Sequence, residues 1–89
     1  MKSVITVIGK DTVGIIAKVS ALLAKDNINI IDISQTTDAE QFLMVMVVDI
    51  KDASVSFYEI SEDLKKLGEE MDLRIQVRHK KVFDSMHRI

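Results

Sequence analysis

Gly9 and Gly14 flank the four residues Lys10-Asp11-Thr12-Val13, directly after a short apolar run. That is the spacing with which a phosphate-binding loop begins. Such a loop also needs a lysine for the terminal phosphates and a hydroxyl for magnesium just after the second glycine. Here Ile15 and Ile16 occupy those two places, and Asp11 puts negative charge where a phosphate would sit. Nucleoside triphosphate chemistry is therefore excluded. What remains is a strand-to-helix turn whose backbone N–H groups, unpaired at a helix start, favour a carboxylate. Asp11 beside them can pair with an ammonium group. A carboxylate next to an ammonium describes an α-amino acid. The same residues also make sense as a plain capped helix start in which the glycines make room, and composition alone favours that reading.

Other constellations are weaker. The two histidines, His79 and His87, lack a clustered ligand set, although Asp84 is nearby in sequence; no metal site is expected. Cysteine is absent, which removes thiol catalysis, disulfides and thiolate-bound zinc. Ser20 falls inside an amphipathic segment with no base beside it, and Asp32 and Ser34 read as the polar face of a strand. No catalytic residue and no cofactor are assigned, and the chain is expected not to be an enzyme. The methionines, Met44 and Met46 among them, fit core filling better than an adaptable pocket. The "RHKK" run at 78–81 is too short for nucleic-acid binding, and a formal net charge of -2 supplies no basic surface.

The elements that must hold the Gly9–Gly14 loop can be read from periodicity. Residues 3–9 are β-branched and apolar, which predicts a strand. From Val13 to Lys25, apolar residues at Ile15, Ile16, Val19, Leu22 and Leu23 have helical spacing, with Asp11 or Thr12 as the expected N-cap. Asn27 suits a left-handed position after that helix. Residues 29–37 alternate at Ile31 and Ile33, a half-buried strand. Phe42 to Ile50 form a strand apolar on both faces. Phe57, Ile60, Leu64, Leu67 and Met71 mark a second helix, with Ser54 as its expected cap and Gly68 as an early stop. On its solvent face Glu62 and Lys66 are spaced to pair. Leu73, Ile75 and Val77 alternate with polar residues in a fourth strand. Residues 81–89 remain as an amphipathic tail after a domain at 1–80. At 89 residues this is one domain.

The order β-α-β-β-α-β is the split arrangement of ferredoxin-like folds: an α+β domain with a four-stranded antiparallel sheet and two helices on one face. The first and third strands are apolar on both faces and belong in the centre, giving the order 4-1-3-2. Since both helices cover one face, an apolar strip is left on the other. A second subunit, the tail, or both are expected to cover it. No run is long enough for a membrane span, and a cytoplasmic location is expected.

Asp11-x-x-Gly14-Ile15-Ile16 opening an amphipathic helix, followed by "NINIIDISQT" at 27–36, resembles an ACT domain, and the element order agrees. The resemblance covers about residues 3–80, and the tail resembles that of small stand-alone ACT-domain proteins. Val13 stands where the family often has proline. The resemblance implies a regulatory module that binds an amino acid or similar effector between paired domains. It implies an effector loop at Asp11, Thr12, Val13, Gly14 and Ile15, and ligand contacts near Asn27, Asn29 and Ile30. Asp11 precedes the first helix and Asn29 follows it. A helix of about 13 residues is ~20 Å long, so one chain cannot bring both to one small ligand, whereas a two-fold pair can. The expected protein is thus a homodimeric effector sensor acting on a separate protein target. A ligand-free dimerisation or adaptor module that docks a metabolic enzyme or regulator is the alternative.

Overall fold

The computed structural model describes residues 1–86. Seven elements follow one another: β1 (Lys2–Lys10), α1 (Ile15–Lys25), β2 (Asn29–Asp38), β3 (Gln41–Asp49), α2 (Phe57–Met71), β4 (Leu73–His79) and α3 (Lys80–Met86). The four strands form one antiparallel sheet in the order β2-β3-β1-β4, so the strands apolar on both faces are central, as their composition requires.

One face of the sheet carries the main core. Ile5 and Val7 of β1, Phe42, Met44, Met46 and Val48 of β3, and Leu73 and Ile75 of β4 pack against Ile15, Val19 and Leu23 of α1 and Ile60, Leu64 and Leu67 of α2. Fully burying side chains of this size stabilises by roughly 1.5–3 kcal/mol each. The methionines at 44 and 46 are wholly buried and fill this core.

Strand pairing sorts the opposite face into three rows across the sheet. Asp32, Val47, Val4 and Arg78 form the first; Ser34, Val45, Thr6 and Gln76 the second; Thr36, Leu43, Ile8 and Arg74 the third. Val4 is 2% exposed yet lies outside the main core, whereas Ile8, four residues along the same strand, is 41% exposed. The difference is α3, which folds back onto β1 and β4. The described part of the tail, up to Met86, therefore is helical and covers the first row. Those described residues do not cover the third, where Ile8 and Leu43 stay exposed.

Local details depart from the sequence reading in instructive ways. α1 starts at Ile15, and its N-cap is Gly14 rather than Asp11 or Thr12; no side chain caps it. α2 is capped by Ser56, not Ser54: the Ser56 hydroxyl accepts from the Glu59 N–H at 3.2 Å. The Ser56-x-x-Glu59 spacing is that of a capping box. Gly68 does not end α2, which runs on to Met71 and stops at Asp72 in a left-handed conformation. A Cβ at Gly68 would sit 2.6 Å from the Leu73 carbonyl oxygen, so glycine serves close approach of α2 to β4. Glu62 accepts from the Tyr58 hydroxyl instead of pairing with Lys66. β2 carries a bulge between Ile30 and Asp32 that shifts its alternation. Ile30 is consequently the half-buried residue packed against the core, and Ile31 and Ile33 are exposed.

Candidate functional site

The loop from Asp11 to Gly14 joins the centre of the sheet to α1. Gly14 has φ 91° and ψ 6°, a left-handed conformation that a side chain makes costly. A Cβ placed there would meet nothing within 4 Å. Glycine is thus required by backbone conformation and not by crowding, and the space over the helix start is open. The Gly14 carbonyl accepts the first helical bond, from Lys18 N–H at 2.9 Å. The earlier N–H groups of the first turn have no intrahelical partner by geometry, and no side chain substitutes for one. They form a local patch of positive potential.

The loop is held from the other side by the β2–β3 turn: Asp11 N–H donates to the Glu40 carbonyl at 2.8 Å. That turn is itself strained. Ala39 and Glu40 both have positive φ, 48° and 69°, with neither glycine nor asparagine to ease it. Asp11, Thr12, Gly14 and Ile15 line a shallow concavity of about 310 Å³ together with Ile16, Ala17, Gln35 and Phe42. Val13 is 97% exposed at the rim. Gln35 was not among the sequence candidates. The β2 bulge turns it toward the helix-covered face, opposite Met44, and only pairing register reveals this.

The remaining candidates lie elsewhere. Asn27, in a left-handed conformation as its type suggests (φ 58°), donates to the Asp52 carbonyl at 2.9 Å. Asn27 and Asn29 line a second concavity, about 580 Å³, with Ala24, Ile28, Asp49, Lys51 and Asp52. The Lys51 N–H and then the Met1 amino group, bonded to the Asp49 carboxyl at 3.0 and 3.1 Å, hold it below the ordinary carboxylate range. This region sits at the far end of α1. Asn29 pairs with Asp49 at one end of β3, whereas Gln41 at the other end adjoins the Glu40 turn that holds Asp11. Eight residues of extended strand separate the two, ~27 Å. One chain brings Asp11, Thr12, Gly14 and Ile15 together but keeps Asn27, Asn29 and Ile30 away from them.

His79 stacks on Phe57, ring centroids 4.2 Å apart and 15° from parallel. His87 lies outside the described residues. Among the described residues no group of three or more His, Cys, Asp or Glu could hold a metal ion, and no helix is long and apolar enough to cross a membrane.

Comparison with known proteins agrees with the fold. Residues 3–78 match the family model of the ACT domain. The chain is 46% identical over 89 residues to a UPF0237 protein of Clostridium acetobutylicum, covering 100% of both chains. Among solved structures it is similar to an ACT domain protein from Streptococcus pneumoniae, with a TM-score of 0.81, 37% identity and 94% of each chain covered. It is also similar to the regulatory subunit of aspartate kinase from Thermus thermophilus. There the TM-score is 0.66 and the identity 26%, over 86% of this chain and 50% of that one.

Proposed function

The chain belongs to the ACT-domain family, and on that premise we propose that it is a non-catalytic sensor that binds an amino acid or a related small effector at a homodimer interface. The carrying observation is the separation of its two recognition regions along a free strand edge. β2 is an edge strand, and nearly all of it is exposed from Asn29 to Asp38. Ile31 and Ile33 of β2 itself present apolar side chains to solvent, as do Val13 and Ile16 at the start of α1. An unpaired edge of ten residues, flanked by apolar groups, is a template for pairing with another strand.

A two-fold axis normal to the sheet would pair two β2 edges antiparallel. It would set the Asn29 end of one chain against the Asp11–Gly14 end of its mate. Each dimer then has two equivalent pockets. In each, first-turn N–H groups of α1 meet the effector carboxylate, Asp11 meets its ammonium, and Asn29 of the opposite chain completes the polar contacts. Effector binding biases the pairing only as far as it prefers one arrangement over another, and a separate cytoplasmic protein reads that bias.

Mixing Asp11→Ala and Asn29→Ala chains tests this. A panel of common amino acids should give a saturable rise in melting temperature for the native protein and for neither homodimeric variant. The mixture should recover about half the binding sites per heterodimer. Recovery of none, with folding and pairing intact, would show that the pocket is not shared.

A further inference from the structure

The sheet has two edges, and they differ in charge and in cover. β2 carries Asp32 and Asp38 and no cation. β4 pairs with β1 alone, so the other side of its seven residues is open. It carries Arg74 and Arg78 and no carboxylate. On the open side of such a strand, alternate N–H and C=O groups point outward without a ladder partner.

β4 is also the edge that a helix walls. A concavity of about 510 Å³ runs along it, with residues 73–78 on one side and Ser61, Lys65 and Glu69 of α2 on the other. Those three α2 residues recur at every fourth position, which sets them in one stripe along the helix. α2 lies close to β4 because Gly68 lets it approach the Leu73 backbone. A strand edge beside a helix is the shape into which an extended peptide adds as a further strand. The open backbone groups supply the ladder, and the walls select alternate side chains.

Charge selects the occupant. Lys65, Arg74 and Arg78 line the groove, with Glu69 as the single carboxylate among its lining residues. Among the described residues none of these three cations is in an ion pair. The strand runs on into Lys80 and Lys81, of which Lys80 is taken up by Asp84. This local excess of positive charge stands on a chain whose formal net charge is -2. Arg74 and Arg78 share the sheet face opposite α1 and α2, four residues and ~13 Å apart. A strand beside β4 would meet them with two side chains at the same spacing, and Lys65 with a side chain from its other face. We propose that the β4 edge is a docking groove for an extended acidic segment of another protein. The segment adds as a fifth strand, with carboxylates at positions i and i+4 against Arg74 and Arg78. The inference stands on β4 and α2 alone and holds whether or not an effector binds at α1.

The probe is a short peptide of alternating glutamate and valine, long enough to span β4. Its binding to the full-length chain is read by fluorescence anisotropy and by amide hydrogen exchange. It should bind saturably and slow the exchange of β4 amides, with β2 unchanged. Lys65→Glu and Arg74→Glu alter exposed positions, so circular dichroism and melting should stay near native. Each should weaken binding about fivefold. Lys66→Glu makes the same charge change on α2 outside the groove and should leave binding unaltered. A lysine–valine peptide should not bind. A glutamate peptide interrupted by proline, which lacks ladder donors, should bind far more weakly. The proposal is overturned if β4 amides gain no protection, if the proline peptide binds as well as the alternating one, or if Lys66→Glu weakens binding as much as the groove variants. It is also overturned if Arg74→Glu lowers the mass of the protein with no peptide present, since the occupant would then be another copy of this chain.

Discussion

The two long helices begin in opposite ways. α2 follows Ser56, whose hydroxyl accepts from Glu59 N–H, and Glu59 places a negative charge in the first turn. α1 follows a left-handed Gly14, with no side-chain cap and no acidic residue in its first turn. α2 satisfies its own N-terminus; α1 leaves its N-terminus to something else. The C-terminal ends differ too. Gly68 lets α2 press onto the Leu73 backbone, whereas α1 ends at Asp26, whose buried carboxyl has an unpartnered oxygen. Both helices pack on the sheet, but the α1 half leaves polar groups unpaired at both of its ends. Stability and recognition are thereby placed in different parts of a small molecule, and substitutions should separate them.

The largest effect should come from the packed half. Gly68→Ala drives a Cβ to 2.6 Å from a backbone oxygen that cannot rotate away. Overpacking of this kind typically costs 1–3 kcal/mol, and the upper part of that range is expected, about 2–3 kcal/mol. Urea denaturation should show it as a lower midpoint, with any effector response of the folded fraction kept.

The two helix starts give the sharper contrast. Gly14→Ala meets no atom but must hold a left-handed backbone, at a cost of roughly 1–2 kcal/mol. Ser56→Ala removes a cap and costs ~1 kcal/mol. Their effects on stability are similar, yet only Gly14→Ala should also abolish the amino-acid-dependent rise in melting temperature, because it alone reshapes the open N-terminus. Equal loss of response in both variants would break the distinction between the helices.

How much of this was legible in the sequence follows the range of the forces involved. Element order and strand order came through because burial on one or both faces leaves a periodic trace: Ile5 and Val7 against Val4 and Ile8 already mark β1 as central. Asn27 was readable because a left-handed residue after a helix has few alternatives. The Gly14 cap was not, because Asp11 and Thr12 are good capping types and only the backbone angles show that neither is used. The polar residues 37–41 do read as a turn, but the positive φ of Ala39 and Glu40 does not, since they are held left-handed by the hairpin register around them. The β2 bulge hid Gln35 in the same way: inserting one residue reverses facing from there on, and nothing local in Ile30-Ile31-Asp32 announces it. The loop residues of the candidate site were thus visible from type and order. The left-handed strain of the turn that holds them was not.

The smallest expected effect concerns the C-terminus of α1. Asp26 is 3% exposed, and its pKa is raised above the ordinary 3.8 first by burial and then by the Asp63 carboxylate. A carboxyl whose folded pKa is raised favours the folded state most when protonated, below 3.8, and loses that contribution as pH climbs through the folded value. At neutral pH the ionised group is therefore a liability, and nearby Lys25 only partly offsets it. Asp26→Asn removes the charge at every pH and offers an N–H donor where Asp63 now repels. It should gain up to about 1 kcal/mol near neutral pH. The gain should shrink toward zero as the pH is lowered to the ordinary carboxylate range, where Asp26 is itself protonated. Chemical denaturation at stepped pH measures both limits. A gain of constant size across the range would mean that shape or hydrogen bonding, and not ionisation, sets the cost of this aspartate. The α1 half would then be no less settled electrostatically than the α2 half.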